Sequence, residues 1–131
     1  MKPLDLGLIV TPGAPTLSPD GRRAVAAVTS LDLDADDYTS QLWLVPTDGA
    51  GPPRQLTHGW QDSDPRFSPD GSTVAFVRAE RGADKSVGKP QLWVLPIDGG
   101  EPRRLTDHPL GVSGAVWSPD STRLAYQARV P

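Results

Sequence analysis

The 131-residue sequence contains no cysteine, which excludes disulfide bonds and thiolate metal sites and is typical of a reducing compartment. It also lacks an apolar run long enough to cross a bilayer or to form the core of a secretory signal. Acidic residues (16) slightly outnumber basic ones (13), so the net charge of −3 gives no indication of nucleic acid or an anionic membrane as a partner. We therefore expect a cytoplasmic protein that binds neither of them.

Helical patterning is absent as well. No stretch repeats its apolar residues every 3.6 positions, and 15 prolines with 13 glycines interrupt the chain too often for long helices. The apolar residues instead form short runs rich in valine, leucine and aromatic residues, as β-strands do. The sequence predicts an all-β fold.

Three short motifs recur along the chain at a spacing close to 50 residues. The first, Ser-Pro-Asp-Gly or Ser-Pro-Asp-Ser, begins at Ser18, Ser68 and Ser118. The second, Gln-Leu-Trp, begins at Gln41 and Gln91, and the third, Arg-x-Leu-Thr, begins at Arg54 and Arg103. The two Arg-x-Leu-Thr motifs are one residue closer together than the other repeated motifs, because the turn before the second one is one residue shorter. A length change in a turn leaves the strand register intact. The chain therefore consists of about two and a half copies of one unit.

Each complete unit is expected to contain four strands. The predicted strands are 14–17, 23–28, 41–45 and 54–57 in the first unit, 65–67, 73–78, 91–95 and 103–106 in the second, and 115–117 and 123–128 in the third. The second and third strands are apolar on both faces, whereas the fourth is polar. A sandwich would leave one face polar, but a β-propeller blade is covered on both sides by its neighbours.

The predicted organisation is an incomplete β-propeller of antiparallel blades. An N-terminal lead-in (1–13) precedes blade 1 (14–58), blade 2 (59–108) and the first half of blade 3 (109–131). Because a closed ring takes about four to eight blades, we expect this chain to belong to a longer polypeptide or to complete itself by association. Two copies would supply five blades.

No residue is predicted to be catalytic, to bind a cofactor or to bind a metal. Gly111-Val112-Ser113-Gly114-Ala115 lacks the last glycine of a nucleophile elbow and is interpreted as a flexible turn. His58 and His108 are expected to be solvated loop residues. The acidic run Asp32, Asp34, Asp36 and Asp37 lacks the glycine and the glutamate of a calcium loop and is interpreted as a solvated loop.

The periodic residues have structural explanations. Asp20, Asp70 and Asp120 are predicted to cap turns, and Trp43 and Trp93 to lie in the core. Ser121 replaces the turn glycine, at a cost of about 1 kcal/mol if the position is left-handed. Trp60 has no counterpart and is the aromatic residue expected to contact a partner.

Long connections indicate where a partner binds. The loops 31–40, 58–64, 79–89 and 107–113 follow second and fourth strands and would share one face of a propeller. We expect this face, and not the tight-turn face opposite, to meet a domain, partner or substrate.

The motifs resemble the WD-like Pro-Asp repeats found in two groups of proteins. These are the N-terminal propeller of the prolyl oligopeptidase family of serine peptidases and the periplasmic propeller protein of the Tol system. An acidic loop followed by Tyr38-Thr39-Ser40-Gln41-Leu42-Trp43 is similar to the acylaminoacyl-peptidase and dipeptidyl-peptidase branch.

The resemblance implies a non-catalytic propeller portion that docks on an α/β-hydrolase domain and restricts access to short peptides. The triad of such a peptidase lies in that hydrolase domain, so no catalytic residue is carried over to this chain. The alternative is a Tol-like or other non-enzymatic propeller that serves as a protein-interaction module.

Overall fold

A computed structural model describes residues 8–12, 15–32, 37–80 and 88–128, with the backbone alone described for 8–12, Asp32 and Asp37. No helix occurs among these residues, so none of them forms a helix that could span a membrane. The described residues form the strands β1 (Leu8–Pro12), β2 (Thr16–Leu17), β3 (Arg23–Asp32), β4 (Asp37–Pro46), β5 (Arg54–Gln55), β6 (Gln61–Phe67), β7 (Thr73–Ala79), β8 (Gln91–Pro96), β9 (Arg103–Arg104), β10 (Val112–Trp117) and β11 (Leu124–Ala128).

The strands pair as antiparallel meanders. Blade 1 here denotes β2 to β5, blade 2 denotes β6 to β9, and blade 3 denotes the β10–β11 hairpin; within each, consecutive strands are paired. The all-β prediction is confirmed. Strand β1 lies inside the segment predicted as a lead-in and pairs with β3, on the same edge as β2.

Several strands extend further than the sequence predicts. Strands β3 and β4 form a continuous ladder to the pair Asp32–Asp37, so most of the predicted loop 31–40 is hairpin. Threonine, serine, leucine and tyrosine at 29–31 and 38–40 favour the extended backbone, although the segment is too polar to resemble a buried strand. Likewise β6 begins at Gln61 and β10 at Val112, which shortens the predicted loops 58–64 and 107–113.

The Ser-Pro-Asp motif forms the turn between the first and second strand of each blade. In blade 3, Ser118 Oγ donates to Asp120 Oδ1 at 2.6 Å, and Thr122 Oγ1 and the Thr122 amide donate to the same oxygen. These bonds, that of Ser118 first, lower the pKa of Asp120 from 3.8 to about 2. Equivalent bonds lower the pKa of Asp20 and of Asp70, which confirms all three as turn residues.

Hydrogen bonds join the Gln-Leu-Trp motif of each complete blade to its Leu-Thr motif. In blade 2, Thr106 Oγ1 accepts a hydrogen bond from the Leu92 amide at 2.9 Å and donates to Gln91 Oε1 at 2.7 Å. The Gln91 side-chain amide also donates to the His108 carbonyl at 2.8 Å. In blade 1, Thr57 accepts from the Leu42 amide in the same way. This buried polar clamp holds the outermost strand of a blade to its third strand.

Two apolar clusters lie between neighbouring blades. Blades 1 and 2 share one that contains Val25, Leu42, Leu44, Phe67, Val74, Phe76, Leu95 and Ile97, and blades 2 and 3 share one that contains Ala75, Leu92, Val94, Val112 and Ala115. Consecutive residues of β7, Val74 to Val77, are all buried because alternate side chains point into different clusters. The prediction that a blade is buried on both faces is confirmed for blade 2.

Candidate functional site

Blade 2 contains a buried ion pair at its long-loop end. Arg78 Nε donates to Asp62 Oδ1 at 2.7 Å and Arg78 Nη2 donates to Asp62 Oδ2 at 3.0 Å, in the bidentate geometry that favours arginine. The Asp62 side chain is fully buried and that of Arg78 is 12% exposed. The pair joins the first strand of the blade, β6, to the second, β7.

Aromatic rings and a glycine enclose this pair. The Arg78 guanidinium carbon lies 4.5 Å from the centre of the Trp93 ring and 5.3 Å from that of Phe76. A methyl group at Gly59 would lie 2.5 Å from Asp62 Oδ1 and 2.6 Å from Arg78 Nε. Only a residue without a side chain therefore allows the loop before β6 to close over the charges.

The ion pair breaks the repeat. Strands β6 and β7 pair Asp62 with Arg78, and the positions 50 residues away pair Pro12 with Val28 and Val112 with Ala128. Periodic motifs do not indicate the pair, because it occurs in one unit only. The aligned repeats do contain the signal, since acid and base replace apolar residues at two positions that face each other across one ladder.

The same end of blade 2 is fastened to blade 1. Ser40 Oγ donates to the Asp62 carbonyl at 2.7 Å, and the Ser40 amide donates to the Trp60 carbonyl at 2.9 Å. Ser40 also forms a single parallel bridge with Gln61, the point at which the two blades join into one sheet. The backbone around Asp62 is therefore held from both blades.

A pocket of about 280 Å³ opens beside Arg78 on the long-loop face. Its walls are strongly charged, and its described lining residues include Arg78, Glu80, Lys89, Arg104, Asp107 and His108. Both acidic and basic groups line it, and none of the described lining residues is a serine, threonine or cysteine. The arrangement suits binding of polar or charged groups.

The predicted histidines differ from each other. His58 is exposed, as predicted, and its Nδ1 lies 3.2 Å from Gln55 Nε2. His108 is half-buried instead of solvated, because its ring packs edge-on against Tyr126 and its Nε2 lies 3.0 Å from the Tyr126 hydroxyl. It therefore links blade 2 to blade 3. No group of three or more metal-ligating side chains occurs in the described part of the chain.

Ser113 does not lie in the flexible turn that the sequence predicts. It lies on strand β10 opposite Gln127, immediately before a bulge, and Gly114 takes a positive φ of 67° there. A nucleophile elbow requires a turn between strand and helix, which this extended segment does not provide. The equivalent bulge in β6 places Asp64 at a φ of 53°, with its carboxylate 3.1 Å from Arg66.

The aromatic predictions have mixed outcomes. Trp93 is half-buried and packs against the cluster between blades 1 and 2, and Trp43 is likewise half-buried, on a face of blade 1 that has no neighbouring blade among the described residues. Trp60, the predicted contact residue, is also half-buried. Asp34 and Asp36 of the acidic run, and most of the loop 79–89, lie outside the described residues.

Comparison with solved structures places this arrangement among β-propellers. The β-propeller domain of the Trilobed protease from Pyrococcus furiosus, described as having an open velcro topology, superposes over 89% of this chain with a TM-score of 0.69 and 20% identity. Acylaminoacyl peptidase from Pyrococcus horikoshii superposes over 88% with a TM-score of 0.67 and 19% identity. TolB from Acinetobacter baumannii superposes over 86% with a TM-score of 0.55 and 18% identity.

The predicted fold class is thereby confirmed: the chain forms β-propeller blades in an open array. It spans 33% of the protease propeller chain, 17% of the acylaminoacyl peptidase chain and 36% of the TolB chain. No family model and no curated protein sequence matches it.

Proposed function

We propose that this chain is a non-catalytic part of the propeller of a larger, cytoplasmic serine peptidase related to the prolyl oligopeptidase family. The observation that carries the proposal is the superposition of nearly the whole chain on propellers of a protease and an acylaminoacyl peptidase, of which it spans only a part. The similarity of the segment Tyr38 to Trp43 to that branch supports it independently.

In this proposal the long-loop face docks on an α/β-hydrolase domain and restricts which peptides reach it. The face contains the charged pocket beside Arg78, which contacts polar groups without performing chemistry on them. Such a surface can bind the charged termini of a peptide and can form ion pairs with a neighbouring domain.

The gene region beyond codon 131 tests the proposal directly. We expect the reading frame to continue through further repeats of this length into a segment with Gly-x-Ser-x-Gly between a strand and a helix. A reactive fluorophosphonate should label the protein made from the complete frame and leave the 131-residue chain unlabelled. A frame that ends after further repeats would instead favour the interaction-module function, which the likeness to TolB supports.

The docking face is tested by a matched pair of charge reversals in the complete protein. Lys89→Glu changes an exposed residue of the charged pocket, and Arg22→Glu makes the same charge change on the tight-turn face. We expect only the first to alter the ratio of kcat/KM for short and long peptides. An equal effect of both, or an effect of Arg22→Glu alone, would contradict docking through the long-loop face.

A further inference from the structure

One side of blade 3 is a strand edge that no other described strand pairs with, and it lies beside a groove with a partly apolar lining. The groove has a volume of about 400 Å³ and lies between blade 2, which contributes Leu92, Val94 and Leu105, and β11, which contributes Leu124 and Tyr126. Leu105 is 43% exposed and Tyr126 is 39% exposed. Apolar residues in such a groove are the mark of a surface that another segment covers.

The blade 1–blade 2 junction reveals what belongs in this groove. There the residues equivalent to Leu92, Val94 and Leu105 are Leu42, Leu44 and Leu56, and they form one cluster with Trp93, Leu95 and Ile97. The last three are alternate residues of the third strand of blade 2 and the turn after it, and they point to one side. The groove beside blade 3 is thus the counterpart of a site that an aromatic-x-aliphatic-x-aliphatic strand fills.

The backbone of β11 is oriented to receive that strand. The Ser118 amide donates to the Arg123 carbonyl at 2.9 Å, so Arg123 bonds towards β10. Because the backbone groups of successive residues face opposite edges, those of Leu124 and Tyr126 point to the edge that no described strand occupies. An incoming antiparallel strand would find free donors and acceptors at these two residues.

We propose that β11 and this groove bind an extended segment with an aromatic residue, an aliphatic residue and a second aliphatic residue at alternate positions, supplied by the polypeptide that continues the propeller. The repeat fixes the register, since Trp93 lies opposite Phe76 and Leu95 opposite Val74 in blade 2. The aromatic residue of the bound segment therefore lies opposite Tyr126 and the first aliphatic residue opposite Leu124. Only the source of the segment, a longer polypeptide, rests on the proposed function.

A synthetic peptide with the sequence of residues 89–99 serves as the probe, and the intact 131-residue chain as the receptor. Amide exchange measured by NMR should slow at Leu124 and Tyr126 when the peptide binds, while that of Ala125, which pairs with Val116, should not change. A peptide in which the residues corresponding to Trp93, Leu95 and Ile97 are serine should bind at least about tenfold more weakly, because it loses the apolar contacts.

Two receptor variants provide the control. Leu105→Asp places a charge in the groove and should weaken binding about tenfold or more, whereas Val116→Asp, at an aliphatic residue that is 63% exposed and outside the groove, should not. Equal binding of both peptides, equal effects of both variants, or dimerisation of the free chain through β11 would overturn the proposal. Peptide binding together with a reading frame that encodes no hydrolase would uphold it and refute only the proposed function.

Discussion

Replacing the Asp62–Arg78 pair by the residues of the sister blades tests whether blade 2 needs its buried charges. Valine stands at the equivalent of Asp62 in blade 3 and at the equivalent of Arg78 in blade 1. We compare Asp62→Val, Arg78→Val and the double variant. Removing one partner leaves the other charge buried without compensation, so each single variant should lose about 3–5 kcal/mol of unfolding free energy.

The double variant should be far more stable than the sum of the single changes. No charge remains to be solvated, and two β-branched residues suit this position of the ladder. The contact of the Arg78 guanidinium with the Trp93 ring is also lost, at about 1–2 kcal/mol, and the smaller side chains leave some empty space. We expect a net change within about 2 kcal/mol of the parent, since these losses and the relief from desolvation oppose each other.

Equilibrium unfolding in urea, followed by tryptophan fluorescence, measures all four proteins in one thermodynamic cycle. The expected result is a coupling energy of several kcal/mol between positions 62 and 78. If the losses of the two single variants add up to the loss of the double variant, the two side chains are not coupled, and the explanation of the blade-specific pair is wrong.

Three further perturbations address the repeat itself. Gly71→Ala should lower the free energy of unfolding in urea more than Gly21→Ala does. Both glycines have φ near +70°, where alanine costs about 1 kcal/mol, but only the new methyl group at 71 meets a neighbour, the Pro19 ring at 3.2 Å. Thr106→Val should cost about 1–3 kcal/mol by the same assay, because the buried Leu92 amide loses its acceptor; a neutral effect would show that the clamp contributes nothing. Because the pKa of Asp120 is lowered in the folded state, its carboxylate contributes fully to stability above pH 3.8, and this contribution is lost as the pH falls towards 2. Asp120→Asn should therefore flatten the acid side of the pH–stability curve, and an unchanged curve would contradict this.

The sequence predicted the parts of the fold that recur. Asp70 and Asp120 recur because one carboxylate oxygen closes each turn, and Thr106 recurs because its hydroxyl accepts a hydrogen bond from the Leu92 amide of the third strand. Such residues are recognisable from spacing alone, since the same local bonds are made in every blade. The identity of the turns, the order of the strands and the two-sided burial of β7 followed from that regularity.

The remaining features depend on tertiary contacts that a period does not record. The hairpin of β3 and β4 extends through serine and threonine residues that would be equally suitable in a loop. His108 lost its expected exposure because Tyr126, 18 residues further on, lies against it. The buried ion pair occupies two repeat positions at which the other units have apolar residues, so the recurring motifs did not indicate this part of the candidate site.

Three hydrogen bonds between neighbouring blades share one sequence separation. The Phe67 amide donates to Thr16 Oγ1, the Asp70 amide to Ser121 Oγ and Trp117 Nε1 to the Arg66 carbonyl, and in all three the partners are 51 residues apart. Ser121 thus compensates for its left-handed φ of 65° by accepting a bond from the preceding blade.

A joint between two blades is therefore built only from residues of those two blades. Stability of such an array approximates a sum over units and nearest-neighbour joints, and folding can spread from one unit to the next. These bonds do not depend on how many blades come before or after the two that they join. In such an array the number of blades is set by the number of units in the polypeptide, and a unit of this length could be inserted or deleted without altering the bonding pattern of the other joints.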